Sequence, residues 1–297
     1  MISYKPTDWI KLVFSFHKSD TFRKLFWFIL LLGIYCYAVH WIEHDYLKMD
    51  ANNTITKLNI LHSILGLVMS LLLVFRTNTA YDRWWEGRKA WGSLVNSSRN
   101  LASKLNALLP KNAENQRRSL INLIAYYPKS LAFHLYSEET RLALSNEIPE
   151  DLGIPRHITH QPNFIMSQIH KEVIDLKKEE LISSTDLLLL DQEIRNYAEV
   201  CGICERIKNT PIPYSYSSFL RKFILTYILT LPLVFSPILG LYVIPFSIFI
   251  FYVLASLELI AEEIEDPFGG DENDIPTEKI ASNIAKSVKE ILHKGSN

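Results

Sequence analysis

Three stretches of this 297-residue chain lack any formal charge, and that absence is its most informative feature. Leu25–Ile42, Leu58–Phe75 and Phe223–Leu257 contain no Asp, Glu, Lys or Arg. Charge of one sign is lacking as well: 31 Lys and Arg stand against 32 Asp and Glu, for a net charge of −1. Such a balance gives no basic stripe for nucleic acid and no global field toward an acidic partner. Cysteine is scarce, and Cys36, Cys201 and Cys204 form no regular framework of disulfides. Met1 to Trp9 lacks the apolar core of a signal peptide. No P-loop, no G-x-S-x-G and no catalytic triad is visible, so the expectation is a non-enzyme with no required cofactor. No segment alternates as a strand, which makes the expected fold class all-α.

The uncharged runs have the length of membrane spans, since about 20 apolar residues cross a bilayer. Leu25–Ile42 and Leu58–Phe75 each suit one pass. Phe223–Leu257 is too long for one pass and fits two, with Pro232, Pro237, Gly240 and Pro245 expected to break it into a hairpin. Four transmembrane helices are therefore expected. Basic residues set their orientation. Lys18, Arg23 and Lys24 precede the first span; Arg76, Arg83, Arg88 and Lys89 follow the second; Arg221 and Lys222 precede the third. The linker between the first two spans carries Glu43, Asp45 and Asp50 with few basic residues. Both termini are then expected in the cytosol. Trp9, Trp27, Tyr37 and Trp41 are placed like interfacial aromatics.

Four segments follow: 1–76 with the first two spans, 77–222 as a cytosolic helical region, 223–257 as the hairpin, and 258–297 as an acidic turn with a C-terminal helix. In the second segment, Leu187, Leu190, Ile194, Ala198, Cys201 and Cys204 recur at steps of three and four, one face of a helix over 186–207. Leu120–Leu135 is a second apolar helical stretch, expected to be interrupted at Pro128. Pro149, Pro155 and Pro162 mark an irregular stretch.

Several short patterns invite chemistry. His40-Trp41-Ile42-Glu43-His44 matches the H-x-x-E-H pattern of one zinc peptidase group, but the sequence offers no third ligand, and a boundary helix end explains it better. Cys201-Gly202-Ile203-Cys204 lies inside a helical pattern with no preceding strand and no second pair, so buried packing thiols are expected. The stretch from Glu262 to Asp274 is densely acidic, and its spacing fits no EF-hand. Composition favours a solvated turn there over a metal site. Leu67, Leu71 and Phe75 fall on one helical stripe, which periodicity alone assigns to packing.

The run from Phe75 to Gly92, FRTNTAYDRWWEGRKAWG, resembles the segment after the second membrane helix of bestrophins. Asp266-Pro267-Phe268-Gly269 with the acidic turn after it is similar to that family's calcium clasp, and Cys201-Gly202 and Ile212-Pro213 match in separation. The resemblance implies a homopentameric ion channel with one pathway on the five-fold axis. It places a hydrophobic neck at Leu67, Leu71 and Phe75, reversing the packing reading, with leucines where the family often has isoleucine or phenylalanine. A cytosolic aperture is implied at Thr185, smaller than the aliphatic residue often found there and hence expected to be wetter. The clasp residues are Glu263, Asp266, Asp271 and Asp274, making calcium the one cofactor to test; Glu263 and Asp266 stand where calcium-activated animal members carry amides. Asp82 and Asp186 are the expected selectivity charges, tilting expectation toward sodium and other monovalent cations unless Arg76 and Arg83 cancel them. The alternatives are a calcium-activated chloride channel, as in animal bestrophins, and a non-conducting scaffold. The expected surroundings are membrane lipid and permeant ions, with no nucleic acid.

Overall fold

The computed structural model describes residues 21–48, 55–136, 158–271 and 273–293. The described residues form helices and connecting turns, with no strand. Trp9, Lys18, Asp50, Pro149, Pro155 and Glu272 lie outside the described residues. The helices are α1 (Thr21–Trp41), α2 (Asn59–Leu108), α3 (Glu114–Leu135), α4 (Gln161–Lys178), α5 (Ser184–Asn209), α6 (Tyr214–Leu239), α7 (Val243–Glu265) and α8 (Thr277–His293).

The chain separates into two compact units, 2–82 with 212–265 and 83–211 with 266–297. The first contains α1, the start of α2, α6 and α7. Its core is small: Leu32 and Cys36 of α1, Met69 and Leu73 of α2, Leu220, Ile224 and Ile228 of α6, and Leu254 of α7. Most of its apolar surface faces outward. Trp27, Phe28, Leu31, Leu225 and Phe249 are all more than half exposed. Three stretches, Thr21–Tyr46, Asn59–Leu108 and Tyr214–Glu265, are long and apolar enough to cross a membrane. Only 17–22% of their most apolar windows is buried, so these helices need an apolar solvent on the outside.

Two expectations about proline require correction. Pro232 and Pro237 lie inside α6, which continues to Leu239. The reversal comes at Gly240, whose φ of +57° and ψ of −138° is a conformation suited to glycine, followed by a 3-10 turn over Gly240–Tyr242. Prolines are tolerated in apolar helices where neighbours re-satisfy the backbone. Pro128 does not interrupt α3 either. It is buried in a helix packed on α4 and α8, and that packing outweighs one lost hydrogen bond. Pro162, expected in an irregular stretch, sits in the first turn of α4, where its missing N–H costs nothing.

The second unit has a continuous core. Trp91, Leu94, Leu101 and Leu105 of α2 pack with Ile124 and Leu131 of α3, Ile169 of α4, Ile194 and Cys204 of α5, and Ile284 and Val288 of α8. A polar chain runs through it: the Tyr127 hydroxyl donates to the Tyr197 carbonyl at 2.7 Å, and the Tyr197 hydroxyl donates to Ser98 Oγ at 2.8 Å. The buried stripe of α5 differs from the expected one at two of its six positions: Leu187 is only partly buried and Ala198 is not buried. Tyr197 and Val200 take the core face beside Leu190, Ile194, Cys201, Cys204 and Ile207. Cys201 and Cys204 are buried free thiols, both pushed up to about 12 by burial, which suits packing and not redox chemistry.

Candidate pore face and charged turns

α2 carries the predicted neck residues Leu67, Leu71 and Phe75 together with Asp82, while the other predicted site residues lie on α5, α7 and the turn after α7. α2 runs unbroken from Asn59 to Leu108 and does not end near Arg76. In the first unit, its residues Met69, Leu73 and Arg76 are buried. The opposite face is exposed: Leu67 at 73%, Leu71 at 56% and Phe75 at 55%. Ile60 and Ile64 extend this face toward the start of the helix, and Asn78, Thr79 and Asp82 extend it the other way, all exposed. One helix face thus changes from apolar to polar just after Phe75. The helical repeat alone aligns these positions.

Arg76 does not belong to that face. It is 1% exposed, with Nη2 2.7 Å from Glu265 Oε2 and Nε 3.5 Å from Glu258 Oε2. Glu265 Oε1 also accepts from the Ile212 N–H at 2.6 Å. Arg221 reaches Glu258 at 3.5 Å and Glu262 at 2.7 Å. Two arginines and three glutamates therefore tie α2, α6 and α7 together by charge. Nothing local in the sequence signals this network, because its members lie far apart along the chain.

In the second unit, Arg83 donates to the carbonyls of Ile207 and Thr210 at 2.6 and 2.5 Å, closing the end of α5. Of the two arginines expected to offset the acidic charges, Arg76 is paired with glutamates and Arg83 is bonded to uncharged carbonyls, which leaves its positive charge beside Asp82 in sequence.

Thr185 and Asp186 sit in the first turn of α5. Ser183 and Asp186 form a capping box: Ser183 Oγ accepts from the Asp186 N–H at 3.1 Å, and Asp186 Oδ2 accepts from the Ser183 N–H at 2.9 Å. The Ser183 hydroxyl also donates to Asp186 Oδ2 at 2.7 Å. These bonds hold the Asp186 carboxyl below its usual range, so it stays ionised. Thr185 is exposed, and Leu188 and Leu189 beside it leave 72% and 48% of their surface uncovered. The S-x-x-D spacing was a readable signal for this cap.

The four acidic clasp candidates divide between the units. Glu263 lies on α7 in the first unit, in an ion pair with Lys24 at 2.6 Å. Asp266, Asp271 and Asp274 belong to a turn of the second unit. That turn rests on α2 within the unit: Trp84 Nε1 donates to the Asn273 carbonyl at 3.2 Å. A Cβ at Gly87 would meet Phe268 at 3.0 Å and Ile275 at 3.1 Å, so only glycine lets the turn approach this closely. Two motifs far apart in sequence are thereby packed together. Asp274 is buried, and its Oδ2 accepts from the N–H groups of Gly270 and Asp271, each at 2.6 Å. Burial pushes its carboxyl up to about 6 against the pull of those bonds. Its Oδ1 is buried without a hydrogen-bond partner among the described residues. Asp266 Oδ2 and Asp274 Oδ2 both lie beside Gly269, 3.2 and 3.4 Å from where a Cβ would stand. The orphaned Asp274 Oδ1 next to a second carboxylate fits a hard cation.

His40 and His44 do not form a metal centre with Glu43. His40 Nδ1 bonds Ser236 Oγ at 3.1 Å and His44 Nδ1 bonds Asp45 Oδ1 at 3.0 Å. The helix changes to a π turn at Ile42–Tyr46, and no three-ligand cluster among the described residues includes these groups.

The family model described as Bacterial/Fungal Bestrophin protein matches residues 1–290. This chain is a bestrophin. A Nostoc protein named voltage-dependent anion channel-forming protein is 32% identical over 247 residues, covering 80% of this bestrophin and 79% of the relative. A Salmonella typhi protein with the same descriptive name is 29% identical over 287 residues, covering 96% and 91%. A solved bestrophin homologue from Klebsiella pneumoniae superposes with a TM-score of 0.78 at 25% identity, covering 91% of this chain and 99% of that one. With its long outward-facing apolar helices, this bestrophin is a multi-pass membrane protein.

Proposed function

We propose that this bestrophin forms an ion channel and that the exposed face of α2 lines its pathway. The observation that carries the reading is the stripe Leu67, Leu71 and Phe75, apolar and more than half exposed, giving way to polar Asn78, Thr79 and Asp82 on the same face. Identical copies gathered about an axis would cover the stripe and make a hydrophobic constriction that gates by dewetting. Five copies, as in the family resemblance, is the proposed assembly. Each copy would pass the membrane four times, by α1, the start of α2, α6 and α7. Both termini would be cytosolic, at the inner membrane of a bacterial cell. Thr185 would form a second constriction at the start of α5, where exposed Leu188 and Leu189 also call for a covering neighbour.

Anions are the favoured permeant ions, because relatives matched over most of the chain are named anion channel-forming proteins. A second reading is cation conduction. It is favoured by Asp186, a carboxylate held ionised beside Thr185, and by exposed Asp82. Calcium is a proposed ligand of Asp266 and Asp274, with the Asp271 turn beside them. A cation there would neutralise a buried carboxylate and offer the orphaned oxygen a partner.

The test is a reversal potential in planar bilayers under a sodium chloride gradient, at low and high calcium. A current reversing near the chloride potential supports anion conduction, and one near the sodium potential supports the acidic-ring reading. A calcium-dependent amplitude lost in Asp274→Asn supports the clasp. No current from folded protein at any calcium level leaves the scaffold and overturns the channel.

A further inference from the structure

His134, His160 and Glu205 lie in the second unit and take no part in the pore face or the acidic turn. They come from three helices: His134 from the last turn of α3, His160 from the N-cap of α4, and Glu205 from α5. One ring nitrogen of each histidine and one carboxylate oxygen all lie within 4.8 Å of one another. Both imidazoles point at the same atom, with Glu205 Oε1 2.8 Å from His134 Nε2 and 2.7 Å from His160 Nε2. The two rings sit 4.3 Å apart, centre to centre. Side-chain exposures of 20%, 32% and 30% leave the group half-buried and in reach of solvent.

We propose that His134, His160 and Glu205 form a site for a transition-metal ion of the zinc class. Two imidazoles and one carboxylate are the donors such ions prefer, and the set is poor for calcium or magnesium, which take oxygen ligands. Three protein ligands in reach of solvent leave a coordination position for water. To load the site, each imidazole loses its Nε2 proton, which moves to Nδ1 through solvent, so that an Nε2 lone pair and the freed Glu205 carboxylate face the metal.

The helix cap at His160 opposes this. Its Nδ1 accepts from the Asn163 N–H at 3.3 Å, which places the proton on Nε2. Metal at Nε2 moves that proton to Nδ1 and ends the long cap bond. Binding is thus weaker than at a preorganised structural zinc site and depends on pH. Its consequence is mechanical. The metal joins the end of α3 to the starts of α4 and the last turns of α5, and it fixes the chain on both sides of segment 137–157.

The experiment uses full-length, tag-free protein, purified in detergent and stripped of metal, titrated with cobalt(II) and then zinc. Wild type is expected to bind one cobalt per chain with visible ligand-field bands, which zinc displaces and calcium does not. Glu205→Gln keeps the size and hydrogen bonding of the side chain, and it is expected to weaken cobalt binding by about tenfold or more. His160→Gln should do the same, with helicity by circular dichroism confirming the fold of both variants. His44→Gln, which alters the other histidine pair, should bind as wild type does. The proposal is overturned if wild type gives no cobalt bands, if Glu205→Gln and His160→Gln bind as tightly as wild type, or if binding is lost only in His44→Gln.

Discussion

Replacing Leu67, Leu71 and Phe75 together by alanine should raise the current at a fixed voltage by about tenfold, equivalent to lowering the passage barrier by roughly 1.4 kcal/mol. All three side chains project from the exposed face of α2, and none belongs to the core of the first unit. Truncating them should therefore leave the fold intact. In a narrow pore, shortening three apolar side chains per copy widens the neck and wets it, which removes the dewetting barrier. The same truncation on α1, at Phe28 and Leu31, also removes exposed apolar surface but should leave the current unchanged. Bilayer recordings of the two variants beside wild type check this. Equal currents in all three would mean that the stripe is merely a lipid-facing surface.

Arg76→Ala should have the largest effect on stability, a loss of about 3–5 kcal/mol, because it strands buried carboxylates. Glu258 is 3% exposed and Glu265 is largely covered. Arg221 still reaches Glu258 at 3.5 Å in the variant, which offsets part of that cost. Thermal unfolding in detergent should show a midpoint roughly 10 °C or more below wild type. Combining Arg76→Met with Glu258→Gln and Glu265→Gln removes charge from both sides and should recover part of the loss. An Arg76→Ala protein that melts with wild type would show that the guanidinium does not hold these helices together.

The apolar helices were legible because each rests on a run without charge, which leaves a bilayer as the only suitable surroundings. The stripe Leu67, Leu71 and Phe75 was legible through the helical repeat. Its exposure was not, since periodicity cannot distinguish a face that packs from one left open. The break between α6 and α7 was readable at Gly240, where positive φ needs glycine, and misread at Pro232, Pro237 and Pro245, which an apolar packed helix absorbs. The length of α2 was hidden because Arg76 ends the uncharged run without ending the helix. Least legible were the long-range groupings. Arg76 meets Glu265 across 189 positions, and His134 meets Glu205 across 71. Such pairs are made by folding, and no spacing announces them. The close packing of Gly87 against Phe268 and Ile275 is hidden for the same reason.

The most direct measurement places a reporter in the proposed neck. Cys36, Cys201 and Cys204 are all buried, so the native protein offers little background to a charged, membrane-impermeant thiol reagent. In a conducting Leu71→Cys channel, the reagent should block the current, and a reductant should restore it. A conducting Leu71→Cys channel whose current is untouched by the reagent would contradict a pathway lined by α2.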